Sequence, residues 1–121
     1  MHEMSLMSEI IQLVSEDARS RSFKRVERID VVVGELSNVL PDALELAFSY
    51  FQGQGLVFID EATTLKIIRE AAVARCEICQ WEFEPDYQIA LCPKCDQVSC
   101  VLVSGETFKV ESYEGSDALE S

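Results

Sequence analysis

Two cysteine pairs, Cys76-Glu77-Ile78-Cys79 and Cys92-Pro93-Lys94-Cys95, stand twelve residues apart and restrict the folds open to this chain more than any other stretch. A Cys-x-x-Cys turn brings two sulfurs to one ion at roughly 2.3 Å, and two such turns complete the tetrahedral shell that zinc takes in structural sites. With all four positions filled by protein, none is left for a substrate. The expected ion is therefore structural zinc, held by Cys76, Cys79, Cys92 and Cys95. The spacer is shorter than the roughly fifteen to twenty residues of common double-knuckle sites, yet long enough for a short hairpin. A thioredoxin-like dithiol needs one pair at the start of a helix within a βαβ pattern, and neither pair has that setting.

With 121 residues the chain suits one modest core carrying a small metal-stapled appendage, since pieces below about 40 residues rarely bury enough apolar surface alone. Ten basic residues against twenty-two acidic ones leave a formal charge of −12. Such a charge repels phosphate backbones and removes the cationic footprint of nucleic-acid binding, which argues against a zinc knuckle that reads DNA or RNA. No apolar run reaches the roughly eighteen residues of a membrane span, and the amino terminus lacks the basic-then-apolar layout of a secretory signal. Five cysteines, an odd number, suit thiols kept reduced for metals better than thiols paired on secretion. The expected location is the cytoplasm, with no membrane partner.

From Met4 to Arg21 the apolar residues Met7, Ile10, Ile11, Val14 and Ala18 recur at steps of three and four, the pattern of an amphipathic helix. Val26 to Gly34 changes period: Ile29, Val31 and Val33 alternate with Arg28, Asp30 and Val32, which predicts a half-buried strand ended by Gly34. Pro41 suits the first turn of a second helix, whose stripe of Leu44, Ala47, Phe48 and Phe51 stops at Gly53 and Gly55. Thr63 to Arg69 and Glu106 to Tyr113 alternate again, so the cysteine module is inserted between two strands of one sheet. Those two strands are expected to pair with each other and with 26–34. The predicted fold is α+β: a three-stranded sheet with two helices over 1–70 plus 105–113, an inserted zinc ribbon over 71–104, and an acidic tail over 114–121 expected to be disordered. Trp81, Phe83 and Tyr87 supply aromatic bulk around the ion.

The chain's one histidine is His2. A lone terminal histidine is more often a solvated residue than a ligand. Its position nevertheless lets a free α-amine, the His2 backbone nitrogen and the imidazole close fused chelate rings on one ion, and nitrogen sets in square-planar array favour nickel(II) or copper(II). The amides of His2 and Glu3 are not committed to helix acceptors, because the first four N–H groups of a helix have none.

Met1-His2-Glu3 opening a helix, Gly34-Glu35-Leu36-Ser37 after the first strand, and two late Cys-x-x-Cys pairs together resemble the hydrogenase-maturation nickel metallochaperones over residues 1–113. The resemblance implies a nickel-binding α+β domain with an inserted zinc domain, delivery of nickel(II) towards the large subunit of nickel-iron hydrogenase, and cooperation with a nickel-handling GTPase. It further implies Met1 (amine), His2 (imidazole and amide) and Glu3 (amide) as nickel ligands, and Cys76, Cys79, Cys92 and Cys95 as zinc ligands. The turn Gly53-Gln54-Gly55-Leu56 departs from the family by lacking its glycine-threonine pair, and Cys100 lies outside the four-cysteine pattern. Cys100 reads either as a small thiol or as a ligand that exchanges into the zinc shell.

Glu35, Asp42 and Glu45 are candidates for a carboxylate near nickel, though in so acidic a chain most are solvated charges. Met4 and Met7 are soft donors close to His2, with Met7 on the core stripe, and Ser5 and Ser8 can cap a frayed first turn. No second histidine exists to build a Ser-His-Asp arrangement, and no Gly-x-x-x-x-Gly-Lys run cradles a phosphate. The expectation is a non-enzymatic nickel carrier with structural zinc. The alternatives are a zinc-ribbon interaction module and a zinc redox switch without nickel delivery. Either a monomer or a homodimer is compatible, a domain-swapped one included.

Overall fold

A computed structural model describes residues 3–85, 92–94 and 100–117. Helix α1 (Glu3–Ser20) buries Met7, Ile10, Ile11, Val14 and Ala18, the whole of its expected stripe, with Glu3 in its first turn and Arg19 in its last, each complementing the helix dipole. It ends in a Schellman turn: the Phe23 N–H donates to Ala18 O at 3.0 Å and the Ser22 N–H to Arg19 O at 3.1 Å, with Ser22 in the left-handed region at φ 61°.

Strand β1 (Arg25–Gly34) lies between β2 (Thr64–Glu70) and β6 (Phe108–Ser116) in a three-stranded sheet. The two strands that flank the cysteine module therefore pair with β1 and not with each other. The expectation of a half-buried strand also fails, because Val26, Ile29, Val31, Val32 and Val33 are all buried and Asp30 is only 7% exposed. A run of three consecutive valines leaves no polar face, as befits a strand covered on both sides. Asp30 is tolerated there because Arg28 Nε donates to it at 2.8 Å and Ser112 Oγ at 3.3 Å.

Helix α2 (Pro41–Gln52) buries Leu44, Ala47 and Phe48 and packs against α1. The chain between α2 and β2 is fixed by Arg25, 6% exposed, whose Nε and Nη2 grip the Asp60 carboxylate at 3.1 and 2.9 Å. Thr63 is 2% exposed, and its hydroxyl donates to Val26 O at 2.8 Å. Strand β6 carries three residues of the expected acidic tail, Glu114 to Ser116. Gly115 permits this, since a Cβ there would lie 2.2 Å from the Phe23 ring, and the Lys24 N–H bonds Ser116 O at 2.7 Å. Residues 118–121, also expected in the tail, are outside the described ones.

A second sheet holds β3 (Val73–Cys76), β4 (Glu82–Phe83) and β5 (Cys100–Ser104) in the order β4-β3-β5, both pairings antiparallel. The chain forms two compact units, one of 1–31, 40–68 and 109–121, the other of 32–39 and 69–108. The division falls within all three strands of the first sheet. Backbone bonds gather 34–36 into the second unit: Gly34 N–H to Thr107 O at 2.7 Å, Glu35 N–H to Glu70 O at 3.0 Å, and Leu36 N–H to Gly105 O at 2.7 Å. A Cβ on Gly34 would sit 2.2 Å from Gly105 O, so only glycine allows that approach.

Candidate functional site

The cysteines are gathered by β3 and the turn that follows it. Cys76 ends β3, its N–H donates to Trp81 O at 2.9 Å, and its carbonyl accepts the Gln80 N–H at 2.8 Å. Gln80 takes φ 63° to close this turn, which swings Cys79 back towards Cys76. The sulfurs of Cys76, Cys79 and Cys92 all lie within 4.8 Å of one another, with Cys79 and Cys92 separated by 3.6 Å. A disulfide needs about 2.05 Å between sulfurs, whereas a tetrahedron with metal–sulfur bonds of about 2.3 Å has sulfur–sulfur edges of about 3.8 Å. The spacing fits a shared ion and not a disulfide. Cys76 and Cys92 are fully buried and Cys79 partly so, an environment in which several thiolates persist only around a cation. Cys95, expected as the fourth ligand, lies outside the described residues, as does Tyr87.

Cys100 stands directly across the β3–β5 pair from Cys76. Burial pushes its thiol pKa up, and the neighbouring Cys76 pushes it further. It is thus a companion of the cluster and not an isolated thiol, a placement that cross-strand register fixes and linear spacing hides. Trp81 is 48% exposed and accepts Lys94 Nζ over its ring at 5.2 Å. Of the three aromatics expected to shield the ion, Trp81 instead links the turn after Cys79 to the Cys92 turn at the surface. Phe83 is half-buried opposite Ala74.

At the other expected metal site, Met1 and His2 lie outside the described residues. Glu3 opens α1, and its Oε2 accepts the Leu40 N–H at 3.1 Å. Leu40 occupies the N-cap of α2 and has no side-chain cap of its own, so the Glu3 carboxylate joins the starts of both helices. Met7 is fully buried in the core, while Met4 is 44% exposed. Asp42 and Glu45 are exposed on α2, and Ser5 and Ser8 are exposed on α1. Glu35 is used elsewhere: its Oε1 accepts the Ala72 N–H at 2.6 Å. Glu70, which belongs to no sequence motif, accepts the Gly105 N–H at 2.7 Å. Two glutamates thus brace the points where the chain enters and leaves the cysteine module. No helix among the described residues is long and apolar enough to cross a membrane.

Comparison with known proteins bears on the same residues. A family model described as hydrogenase/urease nickel incorporation, metallochaperone, hypA matches residues 1–115. The hydrogenase maturation factor HypA of Moorella thermoacetica is 34% identical over 115 residues, which span 95% of this chain and 99% of that protein. That of Chlorobium luteolum is 35% identical over 117 residues, 93% of each. Among solved structures, the solution structure of the Ni metallochaperone HypA from Helicobacter pylori superposes with a TM-score of 0.64 at 28% identity, covering 98% of this chain and all of that one.

Proposed function

The chain belongs to the hydrogenase/urease nickel-incorporation metallochaperones, and from that premise we propose how its residues divide the work. The function of the chain is nickel incorporation in hydrogenase maturation. Met1, His2 and Glu3 hold the nickel(II) cargo through the terminal amine, the His2 imidazole and the two following amides, and Cys76, Cys79, Cys92 and Cys95 hold a resident zinc. The observation that carries this division is the separation of donor types. Soft thiols converge in one compact unit, while in the other Glu3, whose carboxylate accepts the Leu40 N–H, opens α1 directly after Met1 and His2.

A closed four-thiolate zinc stabilises fold, with apparent binding free energies of roughly 10–16 kcal/mol in zinc-finger peptides, and so stays in place while nickel moves. An amino-terminal nitrogen site exchanges ligands one at a time, which suits release. The carrier is not an enzyme, works in the cytoplasm, takes part with a nickel-handling GTPase, and passes nickel to the large subunit of nickel-iron hydrogenase. Equilibrium dialysis of the untagged chain against nickel tests the terminal site. One equivalent is expected, and a chain with one residue added before Met1 is expected to bind none while keeping its zinc. Equal nickel affinity in the two removes Met1-His2-Glu3 as the site. Affinity is also expected to fall between about pH 8 and 6, as protons return to an imidazole near 6.5 and an amine near 7.7–8.0.

A further inference from the structure

The backbone around Cys76 fixes how close it comes to Cys100 on the neighbouring strand. The register is continuous from Ala74 to Cys76 against Cys100 to Leu102, the irregularity lying further back, between Val73 and Ala74. Cys76 turns both of its backbone groups towards the β4 side: its N–H donates to Trp81 O at 2.9 Å and its carbonyl accepts the Gln80 N–H at 2.8 Å. In an antiparallel ladder a residue so turned meets its other neighbour as a non-hydrogen-bonded pair, with Cα atoms about 4.5 Å apart and both side chains on one face of the sheet. That separation lies at the short end of the range of about 4.4–6.8 Å that a disulfide spans, where the bond is strained and readily reduced. The two thiols differ in place and in duty. Cys76 is fully buried and is one of the three sulfurs gathered within 4.8 Å of one another, whereas Cys100 is half-buried and stands outside that group.

We propose that Cys76 and Cys100 form a reversible, oxidation-driven disulfide that withdraws Cys76 from the zinc shell and releases the ion. The proposal rests on the zinc reading given above and adds a modification site to it, made by the pair and not by Cys100 alone. The oxidant is a peroxide. Cys100, the half-buried member, is the sulfur it reaches, and that sulfur takes one peroxide oxygen to give a sulfenic acid and water. The Cys76 thiolate, already ionised as a zinc ligand, then attacks the Cys100 sulfur: the S–S bond forms, the S–O bond breaks and hydroxide leaves. Overall each sulfur gives up one electron, and the peroxide oxygens are reduced to water and hydroxide. Three thiolates are then left for an ion that takes four. Cys79 and Cys92, with sulfurs 3.6 Å apart, are the competing pair. Both belong to the shell, whereas Cys100 can be oxidised with the shell intact.

The test treats the zinc-loaded full chain with hydrogen peroxide, follows released zinc with a chromogenic chelator, and maps disulfides by mass spectrometry of the intact and digested chain. The wild type is expected to lose zinc as a Cys76–Cys100 bond appears, and a dithiol reductant with added zinc is expected to reverse both. Cys100→Ser keeps the four ligands. It is expected to hold one zinc, to lose it to EDTA within about twofold of the wild-type rate, and to lose it under peroxide at least about tenfold more slowly. Peroxide-driven release at the wild-type rate in Cys100→Ser overturns the proposal, as does a Cys79–Cys92 bond in the oxidised wild type with Cys100 still a thiol. A Cys100→Ser chain that holds no zinc before oxidation also overturns it, because Cys100 is then itself a ligand. A wild-type chain that takes up no zinc overturns the zinc reading itself.

Discussion

Ser22 closes α1 with a backbone angle that glycine adopts freely and serine does not. Ser22→Gly is expected to stabilise the chain by about 0.5–1 kcal/mol, visible as a higher midpoint in thermal melting. The reverse holds at Gly34: an added methyl meets the Gly105 carbonyl, a backbone group that cannot swing aside, so Gly34→Ala is expected to cost about 1–3 kcal/mol by the same measurement. Asp60 sets an acid limit. Arg25 hydrogen-bonded to its carboxylate, helped by the Ala62 N–H and Thr63, holds its pKa down to about 2 against an ordinary 3.8. A depressed carboxylate contributes stability that is fully present above its unfolded value and is lost as pH falls towards the folded one. The loss from this group is therefore expected between about pH 4 and 2, and Asp60→Asn is expected to flatten that limb of a melting-versus-pH curve. An equal acid dependence in the variant would assign the limb to other groups. The residue scale is also where the sequence conceals most. Glu35 reads as a candidate near nickel, yet it bonds Ala72 at a separation of 37 residues, which no local pattern reveals.

At the scale of elements, legibility follows periodicity. The stripes of α1 and α2 predict both helices to within a residue or two, because hardly any backbone geometry but the helix buries one face at steps of three and four. The central position of β1 is also present in the sequence, in Val31-Val32-Val33, but alternation with Arg28 and Asp30 conceals it until their bonds to each other are known. Strands β3 to β5 are short, and β4 spans only Glu82–Phe83, too few residues for a period to appear. Their order depends on pairing and on the two bracing glutamates. Gly105 is buried, and its N–H loses its acceptor if Glu70 is removed. Glu70→Ala is accordingly expected to destabilise by about 1–3 kcal/mol, with Glu70→Gln recovering most of it, read by chemical denaturation. The convergence of Cys76, Cys79 and Cys92 is legible in the paired Cys-x-x-Cys spacing, whereas the placement of Cys100 across from Cys76 requires the register of β5.

For the whole molecule, the division into two compact units carries an expectation about metal removal. Trp81 is the chain's one tryptophan and lies in the unit that holds the cysteines, while both helices lie in the other. Stripping the ion proposed for these thiols with a strong chelator is expected to change Trp81 fluorescence and leave the helical circular-dichroism signal near its starting value. Cys76→Ala is expected to reproduce that state with zinc absent. Parallel loss of both signals would mean that the units do not respond separately.

The bond from Leu40 to Glu3 has a consequence for how the two helices open. It ties the first turn of α1 to the N-cap of α2 across 37 residues of chain, so neither start frays without releasing the other.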